Sequence, residues 1–383
     1  MTAETSSSAP LRSAETSSSA PLRSAETESI AVVGPDPAAP EIVNLVETSP
    51  GIGRRLRSPS TLLSFAIPVV LLILVLKTMV GLDFGALVTG ISEASPLYLA
   101  AGALVFYAVF PVRGWRWQQL LHGVGIKLSW RDATEILSLS WFVNCVVPAR
   151  LGDVYRAYLL RRSRIGSGTS GLATVIVERG LDLVASAGIA VLTGLWIISS
   201  DPSVGGGVLL PRIIEISAVI FVVCVAALLI IVKAHDRILA ILPFPAKLES
   251  LMDRFAEGLK CLNLRNVVPV TAVTLISWGQ ETVRLACVVT ALHLSGVNLS
   301  YPEIAFIAVV TSLLSAIPFT PAGIGLVEAG LIGILTTVFG LSAEHAAMIA
   351  LLDRAISTYS IIILGAILYI WSPKTRETAP VAA

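Results

Sequence analysis

The chain has 383 residues, 55% of them hydrophobic and only 14% charged, with a mean hydropathy of +0.81. Soluble domains carry about 25% charged residues, so this composition excludes an ordinary soluble domain and indicates a membrane protein. A net charge of +1 and the lack of a basic, aromatic-interleaved patch argue against a nucleic-acid partner. The scattered cysteines and histidines have no metal-ligand spacing, so we expect no metal and no other cofactor.

The segment 1–58 differs in composition from the rest of the chain. The sequence AETSSSAPLRS occupies positions 3–13 and recurs unchanged at 14–24. Ser, Thr, Ala, Pro and Glu dominate this segment, which therefore cannot bury enough apolar surface to fold. We predict a disordered tail over 1–58, a transmembrane domain over 59–372 and a short cytoplasmic tail over 373–383.

Apolar segments follow the tail to the end of the chain. Runs of about 20 apolar residues are transmembrane candidates. Six segments are predicted as full spans: 61–80, 97–116, 169–197, 212–233, 267–292 and 345–371. Two further stretches, 133–147 and 303–317, are too short to cross about 30 Å at about 1.5 Å per residue. Each is followed by a Pro- and Gly-containing tip, PARLG at 148–152 and PFTPAGIG at 318–325.

The distribution of lysine and arginine predicts the topology, because basic loops stay on the cytoplasmic side. The stretches 81–96, 199–211 and 293–302 contain neither residue and are assigned to the outer face. Arg113 and Arg116 are read as the basic, cytoplasmic end of the second span. This pattern requires 133–160 to enter and leave on the cytoplasmic side, and 303–340 to enter and leave on the outer side.

The predicted fold is therefore an all-α polytopic membrane protein of the cell membrane. It has about six full spans, two oppositely facing re-entrant helical hairpins and cytoplasmic termini.

The chain also aligns with itself. HGVGIKLSW at 122–130 matches HLSGVNLSY at 293–301, PARLG matches PAGIG at 321–325, and VERGLDLVA at 177–185 matches LDRAISTYS at 352–360. An odd number of crossings separates the copies, so we predict an inverted repeat with halves at about 97–197 and 267–371, an architecture typical of transporters. The alternative is a chance match between apolar sequences. In this alignment Glu281 falls on Phe110 and Glu328 on Tyr155, so we expect the acids to be unevenly duplicated.

Charged residues lie at mirrored depths in two predicted spans. Glu178 aligns with Asp353, each near the middle of its span, where a charge costs about 2.5–3.5 kcal/mol. Such residues need partners, water or a function. The alternatives are buried ion pairs that hold helices together, or a role in substrate binding or in a proton relay through Glu178, Glu281 or Glu328.

The spacing of charges suggests partners for these groups. Arg179 and Asp182 are three residues apart on a helix and are predicted to pair. Glu178 cannot pair with the adjacent Arg179, because neighbouring helical residues point about 100° apart. The candidate cations for Glu178 are Arg150, Arg284 and Arg354.

The hairpin tips are candidate anion sites. Each tip ends one short helix and begins another, and a helix N-terminus attracts anions. Gly152 and Gly325 would allow close backbone approach there, and Arg150 could bind a phosphate headgroup in bidentate fashion. The alternative is a pair of loops that lie in water at the interface.

The motifs VNCVVPARLGDVYRAYLLRR, ATVIVERGLDL and PFTPAGIGLVEAGL resemble those of the lysylphosphatidylglycerol-synthase transmembrane-region family, also described as flippase-like. The resemblance covers about residues 60–371 and implies translocation of a lipid or lipid-linked saccharide. The matching positions are Pro148, Arg150, Gly152, Asp153, Glu178, Arg179, Asp182, Pro321, Gly323, Gly325 and Glu328.

These observations predict a flippase-like transporter, not an enzyme, for an anionic phospholipid or polyprenyl-phosphate-linked amphiphile. The alternative is a membrane partner of a glycosyltransferase or of a lipid-headgroup-modifying enzyme, without transport activity of its own. The predicted substrate-binding residues are Arg150, Gly152, Asp153, Glu178, Arg179, Asp182, Glu281, Arg284, Gly323, Gly325, Glu328, Asp353 and Arg354.

Overall fold

The computed structural model describes residues 84–147, 150–163, 168–201, 207–241, 262, 266–316 and 320–375. This part of the chain is helical and contains no strand. Its α-helices are α1 Phe84–Ser92, α2 Pro96–Gly123, α3 Trp130–Val146, α4 Leu151–Arg162, α5 Gly168–Ser200, α6 Leu209–Ile241, α7 Val267–Ala291, α8 Tyr301–Ser315, α9 Leu326–Thr337, α10 Ala343–Arg354 and α11 Ser360–Trp371. The predicted tail at 1–58 and the predicted span at 61–80 lie outside the described residues.

Four described helical stretches are long and apolar enough to cross a membrane. They are Pro96–Gly123, Ser170–Ser200, Leu209–Ile230 and Ala343–Trp371, and each coincides with a predicted span. The helix α7 covers the predicted span at 267–292 with 25 residues, or about 37 Å of length. The two short apolar stretches each form a helix–break–helix unit, α3 with α4 and α8 with α9.

The predicted end of the second span was wrong. The helix α2 continues to Gly123, and both Arg113 and Arg116 are buried within it, with exposed fractions of 5% and 0%. The prediction ended the span at these arginines because the hydropathy of the sequence falls there. In the folded protein, carboxylates on neighbouring helices offset their charges. Both side chains are therefore buried ion-pair partners and not the free loop charges on which a topology prediction relies. The helix α1, which packs on α10, lies within the stretch 81–96 that was assigned to the outer face.

The helices recur at regular intervals along the chain. The interval between the starts of α2 and α7, at positions 96 and 267, equals that between the starts of α3 and α8, at 130 and 301. A slightly longer interval separates the starts of α4 and α9, at 151 and 326, and the same longer interval separates those of α5 and α10, at 168 and 343. The interval is longer for the second short helix of each unit than for the first. The reason is that the tip between α8 and α9 has more residues than the tip between α3 and α4.

The packing follows the same pairing. The helix α2 packs along α7, its counterpart. The helix α5, which follows the first short pair, packs on α8 of the second, and α11, which follows the second short pair, packs on α3 of the first. Each long helix therefore covers the opposite short pair, so both tips contribute to the interior of the protein.

One position breaks the correspondence between the two halves. The helix α5 is continuous over 33 residues, whereas its counterpart is interrupted by one turn of π-helix, Ala355–Tyr359, between α10 and α11. This turn begins directly after Asp353 and Arg354. Such π-turns occur frequently at functional sites, and this one lies beside the charged residues that the sequence singled out.

A polar clamp joins the end of α11 to the start of α3. The Lys374 Nζ atom contacts Asp132 Oδ1 at 2.6 Å and Glu135 Oε2 at 2.5 Å, while Ser372 Oγ donates to Glu135 Oε1 at 2.5 Å. Hydrogen bonds from Lys374 and Ser129 lower the pKa of Asp132. Partial burial opposes the charge on Lys374, but its bonds to the two carboxylates raise its pKa overall. The start of the predicted tail at 373–383 is therefore packed against the domain.

Candidate functional site

A cavity of about 400 Å³ lies among the short helix pairs and the long helices that cover them. Nine of the thirteen predicted substrate-binding residues contribute to its wall: Arg150, Asp153, Arg179, Asp182, Glu281, Arg284, Gly323, Asp353 and Arg354. The other four, Gly152, Glu178, Gly325 and Glu328, do not line the cavity. The structure thus brings together predicted residues from both halves of the chain.

The first tip is held against the second short helix pair by Arg150. Its Nη2 atom donates to the Ser315 carbonyl oxygen at 2.6 Å and to Ser315 Oγ at 3.3 Å, at the end of α8. Arg150 has a left-handed backbone, with φ 51°, and Gly325, which like Arg150 directly precedes the second helix of its pair, has φ 88°. Since residues other than glycine rarely adopt positive φ, the surrounding structure must favour this conformation at Arg150.

Gly152 brings α3 and α4 close together. Its backbone N–H donates to Asn144 Oδ1 at 2.8 Å, and Asn144 Nδ2 donates to Asp153 Oδ1 at 3.3 Å. Asn144 therefore bonds both the backbone of the tip and the carboxylate that follows it.

We expect Gly152→Ala to disrupt this tip. A Cβ atom there would overlap the Ser140 carbonyl oxygen and lie 2.6 Å from Asn144 Oδ1, and a backbone oxygen of a packed helix cannot move away cheaply. The overlap should cost about 1–3 kcal/mol, measured as a lower thermal midpoint of the purified protein. The matched control is Gly333→Ala in α9, where a Cβ meets no atom within 4 Å and helix propensity favours alanine. Equal midpoints for the two variants would contradict this prediction.

The predicted partners of Glu178 were wrong. Its Oε1 atom accepts from Arg116 Nη2 at 2.8 Å, and its Oε2 atom pairs with Arg156. Arg116 also donates to Asp182 Oδ1 at 2.6 Å and to Thr274 Oγ1 at 2.8 Å. Arg116 was missed because it was placed at the end of a span.

Arg156 occupies the face of α4 that looks towards α2. Its guanidinium lies 4.1 Å from the centre of the Trp117 ring, and its exposed fraction is 1%. Glu178 is therefore bound by two buried arginines from two different helices.

An ion pair is duplicated at the two tips. Arg179 binds Asp153 through Nε and Nη2 at 3.0 and 2.7 Å, whereas its predicted partner Asp182 is 4.0 Å away. In the second half Arg354 Nε donates to Glu328 Oε1 at 2.9 Å. Each pair joins residues 26 positions apart, and each acid is the third residue of its helix.

The helix starts therefore align Glu328 with Asp153, and the alignment with Tyr155 was wrong. The sequence alignment fixed its offset at the PAGIG motif, but the extra residues of the second tip lie on both sides of that motif. Glu328 also accepts from the Gly325 N–H at 2.7 Å and caps the start of α9. Arg354 Nη2 donates to the Ala322 carbonyl oxygen at 2.7 Å, so this pair fixes the tip backbone.

A third charged group lies on α7. Glu281 and Arg284, three residues apart, are 3.1 Å from each other. Arg113 from α2 lies 3.7 Å from Glu281, and Arg284 pairs with Asp353. Arg113 and Arg284 occupy matching positions, because the interval between them equals that between the starts of α2 and α7. The two counterpart helices therefore meet around Glu281.

The described residues contain no group of three or more His, Cys, Asp or Glu side chains that could hold a metal ion. Several wall residues were not predicted from the sequence, because they are uncharged and are not among the motif positions that matched the family. They include Trp141, Asn144, Trp278 and Thr311.

The family described as "Lysylphosphatidylglycerol synthase TM region" matches residues 61–365. A UPF0104 membrane protein of Methanocaldococcus jannaschii is 32% identical over 229 residues, covering 60% of this chain and 93% of that protein. A UPF0104 membrane protein of Methanothermobacter thermautotrophicus is 26% identical over 319 residues, covering 77% of this chain and 90% of that protein.

The glycosyltransferase AglD of Haloferax volcanii is 26% identical over 313 residues, which cover 74% of this chain but 50% of AglD. The family match includes both short helix pairs, every residue of the cavity wall and the duplicated ion pairs. The chain therefore belongs to the lysylphosphatidylglycerol synthase transmembrane-region family.

Proposed function

We propose that this membrane protein is a flippase-like transporter, not an enzyme. Its substrate is an anionic lipid or a polyprenyl-phosphate-linked amphiphile of the cell membrane. The observation that carries this proposal is the duplicated ion pair, Asp153–Arg179 at one tip and Glu328–Arg354 at the other. Three of these four side chains line the same cavity.

Under this proposal the two halves form an inverted repeat of six spans and two oppositely facing re-entrant hairpins, with cytoplasmic termini. The regular intervals between helix starts and the reciprocal packing of α5 on α8 and of α11 on α3 support this arrangement. Rocking of one half against the other would expose the cavity to each side of the membrane in turn. The π-turn at Ala355–Tyr359 lies in the wall and is the proposed point of flexure.

The cavity volume supports a headgroup rather than a whole lipid as its occupant. A space of about 400 Å³ lies in the lower part of the range for small-molecule pockets. The acyl or prenyl tails would remain in the bilayer while the headgroup passes the charged wall. Buried arginines replace the water that a phosphate loses on entering such a cavity.

The test is reconstitution of the full chain into vesicles that contain headgroup-labelled lipids of several classes. A membrane-impermeant quencher then reports how much label reaches the outer leaflet. We expect protein-dependent movement of at least one anionic class over protein-free vesicles. Folded, correctly inserted protein that moves none of the lipid classes would overturn the proposal.

The similarity to AglD favours a second candidate, a membrane partner of a glycosyltransferase that transports nothing itself. In that case charge-neutralising changes at Glu178 and Arg354 would leave function intact. Changes within the segment 234–265, most of which lies outside the described residues, would abolish it. The transport proposal expects the reverse, so the same set of variants separates the two.

A further inference from the structure

The buried charges around the cavity do not balance. Seven arginines belong to this network within the described residues: Arg113, Arg116, Arg150, Arg156, Arg179, Arg284 and Arg354. Six carboxylates oppose them: Asp153, Glu178, Asp182, Glu281, Glu328 and Asp353. As counted over the described residues, the network therefore carries one excess positive charge. The tip residues outside the described part of the chain, 148–149 and 317–319, are all uncharged.

The excess charge can be assigned to Arg150. Each of the other four arginines of the wall has a carboxylate within 4.0 Å. Among the described residues Arg150 has none, and its recorded bonds are to the carbonyl and hydroxyl oxygens of Ser315. A half-buried guanidinium with no carboxylate in direct contact is costly in a membrane interior, and a bound anion would reduce that cost.

The carboxylates of the wall are in the opposite situation. Asp153, Asp182, Glu281 and Asp353 each have an arginine within 4.0 Å in the described part of the chain. None is available to a positively charged headgroup without breaking an ion pair. The wall therefore offers a site for one negative charge and no site for a positive one.

The rest of the wall is neutral, and it combines apolar side chains with six hydroxyl-bearing ones. Hydroxyl side chains lining the cavity are Ser186, Thr311, Ser312, Ser315, Ser357 and Thr358. Thr311 Oγ1 of this set and the wall group Trp278 Nε1 are buried without a hydrogen-bond partner among the described residues, and a buried donor in that state costs about 1–3 kcal/mol. Such groups suit the hydroxyls of a sugar or polyol.

We propose that the cavity selects a headgroup with a single phosphodiester, one negative charge, joined to a neutral hydroxyl-rich group. Diphosphates carry too much negative charge for one unpaired arginine, and aminoacylated headgroups carry a cation that finds no free carboxylate. This inference rests on the proposed function for the role of the cavity, but binding tests it separately from transport. Two lipid sources share this chemistry, glycerophospholipids with polyol headgroups and sugar-linked polyprenyl monophosphates.

The experiment measures equilibrium binding to the full chain in detergent by tryptophan fluorescence. The monoanionic probes are phosphatidylglycerol and mannosyl-phosphopolyprenol. The others are phosphatidic acid, a polyprenyl diphosphate, lysyl-phosphatidylglycerol and phosphatidylcholine. We expect at least one monoanionic probe to bind about tenfold or more tightly than the other four, as expected for one charge-assisted contact. The probe that binds identifies the source.

Two variants change the charge of the wall in opposite directions. Arg150→Gln removes the excess charge and should abolish the preference for a monoanion over phosphatidylcholine, whereas Arg150→Lys should keep it. Glu281→Gln adds one positive charge and should shift the preference towards phosphatidic acid, while Arg284 keeps its pairing with Asp353. Arg212→Gln, at an exposed ion pair near the start of α6 and outside the cavity wall, is the matched control and should bind as wild type. Thermal midpoints verify that each variant is folded.

The binding and translocation results together separate this inference from the proposed function. Selective binding of a monoanion without its translocation would support this inference and overturn the proposed function. Translocation without preference among classes would do the opposite. A wild-type preference for diphosphate or for the cationic lipid, or an Arg150→Gln variant that selects like Arg212→Gln, would overturn the inference. Binding of no probe would overturn the inference, while the vesicle assay decides the proposed function.

Discussion

Arg116→Met is expected to lower the free energy of unfolding by about 3–5 kcal/mol, the usual cost of removing one partner from a buried ion pair. Arg116 is fully buried and binds two carboxylates, Glu178 and Asp182, together with Thr274. Methionine fills a similar volume but leaves Asp182 without its nearest cation. The measurement is thermal or denaturant unfolding of the purified protein in detergent.

Two comparisons isolate the charge from the packing. Arg212→Met removes an exposed arginine of an i,i+3 pair and should cost less than about 1 kcal/mol. The double variant Arg116→Met/Asp182→Asn should recover part of the lost stability, because Glu178 keeps Arg156 while the orphaned carboxylate is neutralised. If the stability losses of Arg116→Met and Asp182→Asn simply add up in the double variant, the ion pair does not account for the stability lost in Arg116→Met.

Neutralising either tip acid is expected to reduce lipid movement about 30-fold or more, since truncating a buried, hydrogen-bonded charge pair costs about 2–5 kcal/mol. Asp153→Asn weakens the two bonds to Arg179, and Glu328→Gln weakens those to Arg354 and to the Gly325 N–H. Both changes release an arginine that should then trap a headgroup or close the cavity. The assay is the vesicle translocation rate at matched protein density.

A stricter test of these pairs compares the translocation rate of each double variant with that of the single variant that lacks the acid. Asp153→Asn/Arg179→Gln should be no slower than Asp153→Asn alone, because the second change removes a charge that has already lost its partner. The same relation should hold for Glu328 with Arg354. The matched control is Glu215→Gln, whose side chain is 60% exposed and should leave the rate unchanged. A normal rate after the loss of either acid would show that the duplicated pair is not the functional unit.

Much of the architecture could be predicted from the sequence, because it follows from local composition. Hydropathy located four spans that coincide with long apolar helices, and the Pro and Gly residues located both helix breaks. The self-match of 122–130 with 293–301 has the same offset along the chain as the starts of α2 and α7. The candidate residues were also largely brought together, since polar side chains in membrane helices turn towards a shared interior.

Only the tertiary structure decided which charges pair. Glu178 meets Arg116, which is 62 positions away, and Asp182 meets the same arginine 66 positions away. Those contacts depend on which faces of α2, α4 and α5 pack together, and hydropathy cannot rank buried arginines as partners. The equivalence of Asp153 and Glu328 likewise depends on where α4 and α9 begin, because tips of unequal length shift the sequence alignment. The sequence by itself determined that charges would lie within the membrane domain. The packing of the helices determined which of them pair. Among the described residues, this packing leaves Arg150 as the one wall arginine with no carboxylate within 4.0 Å.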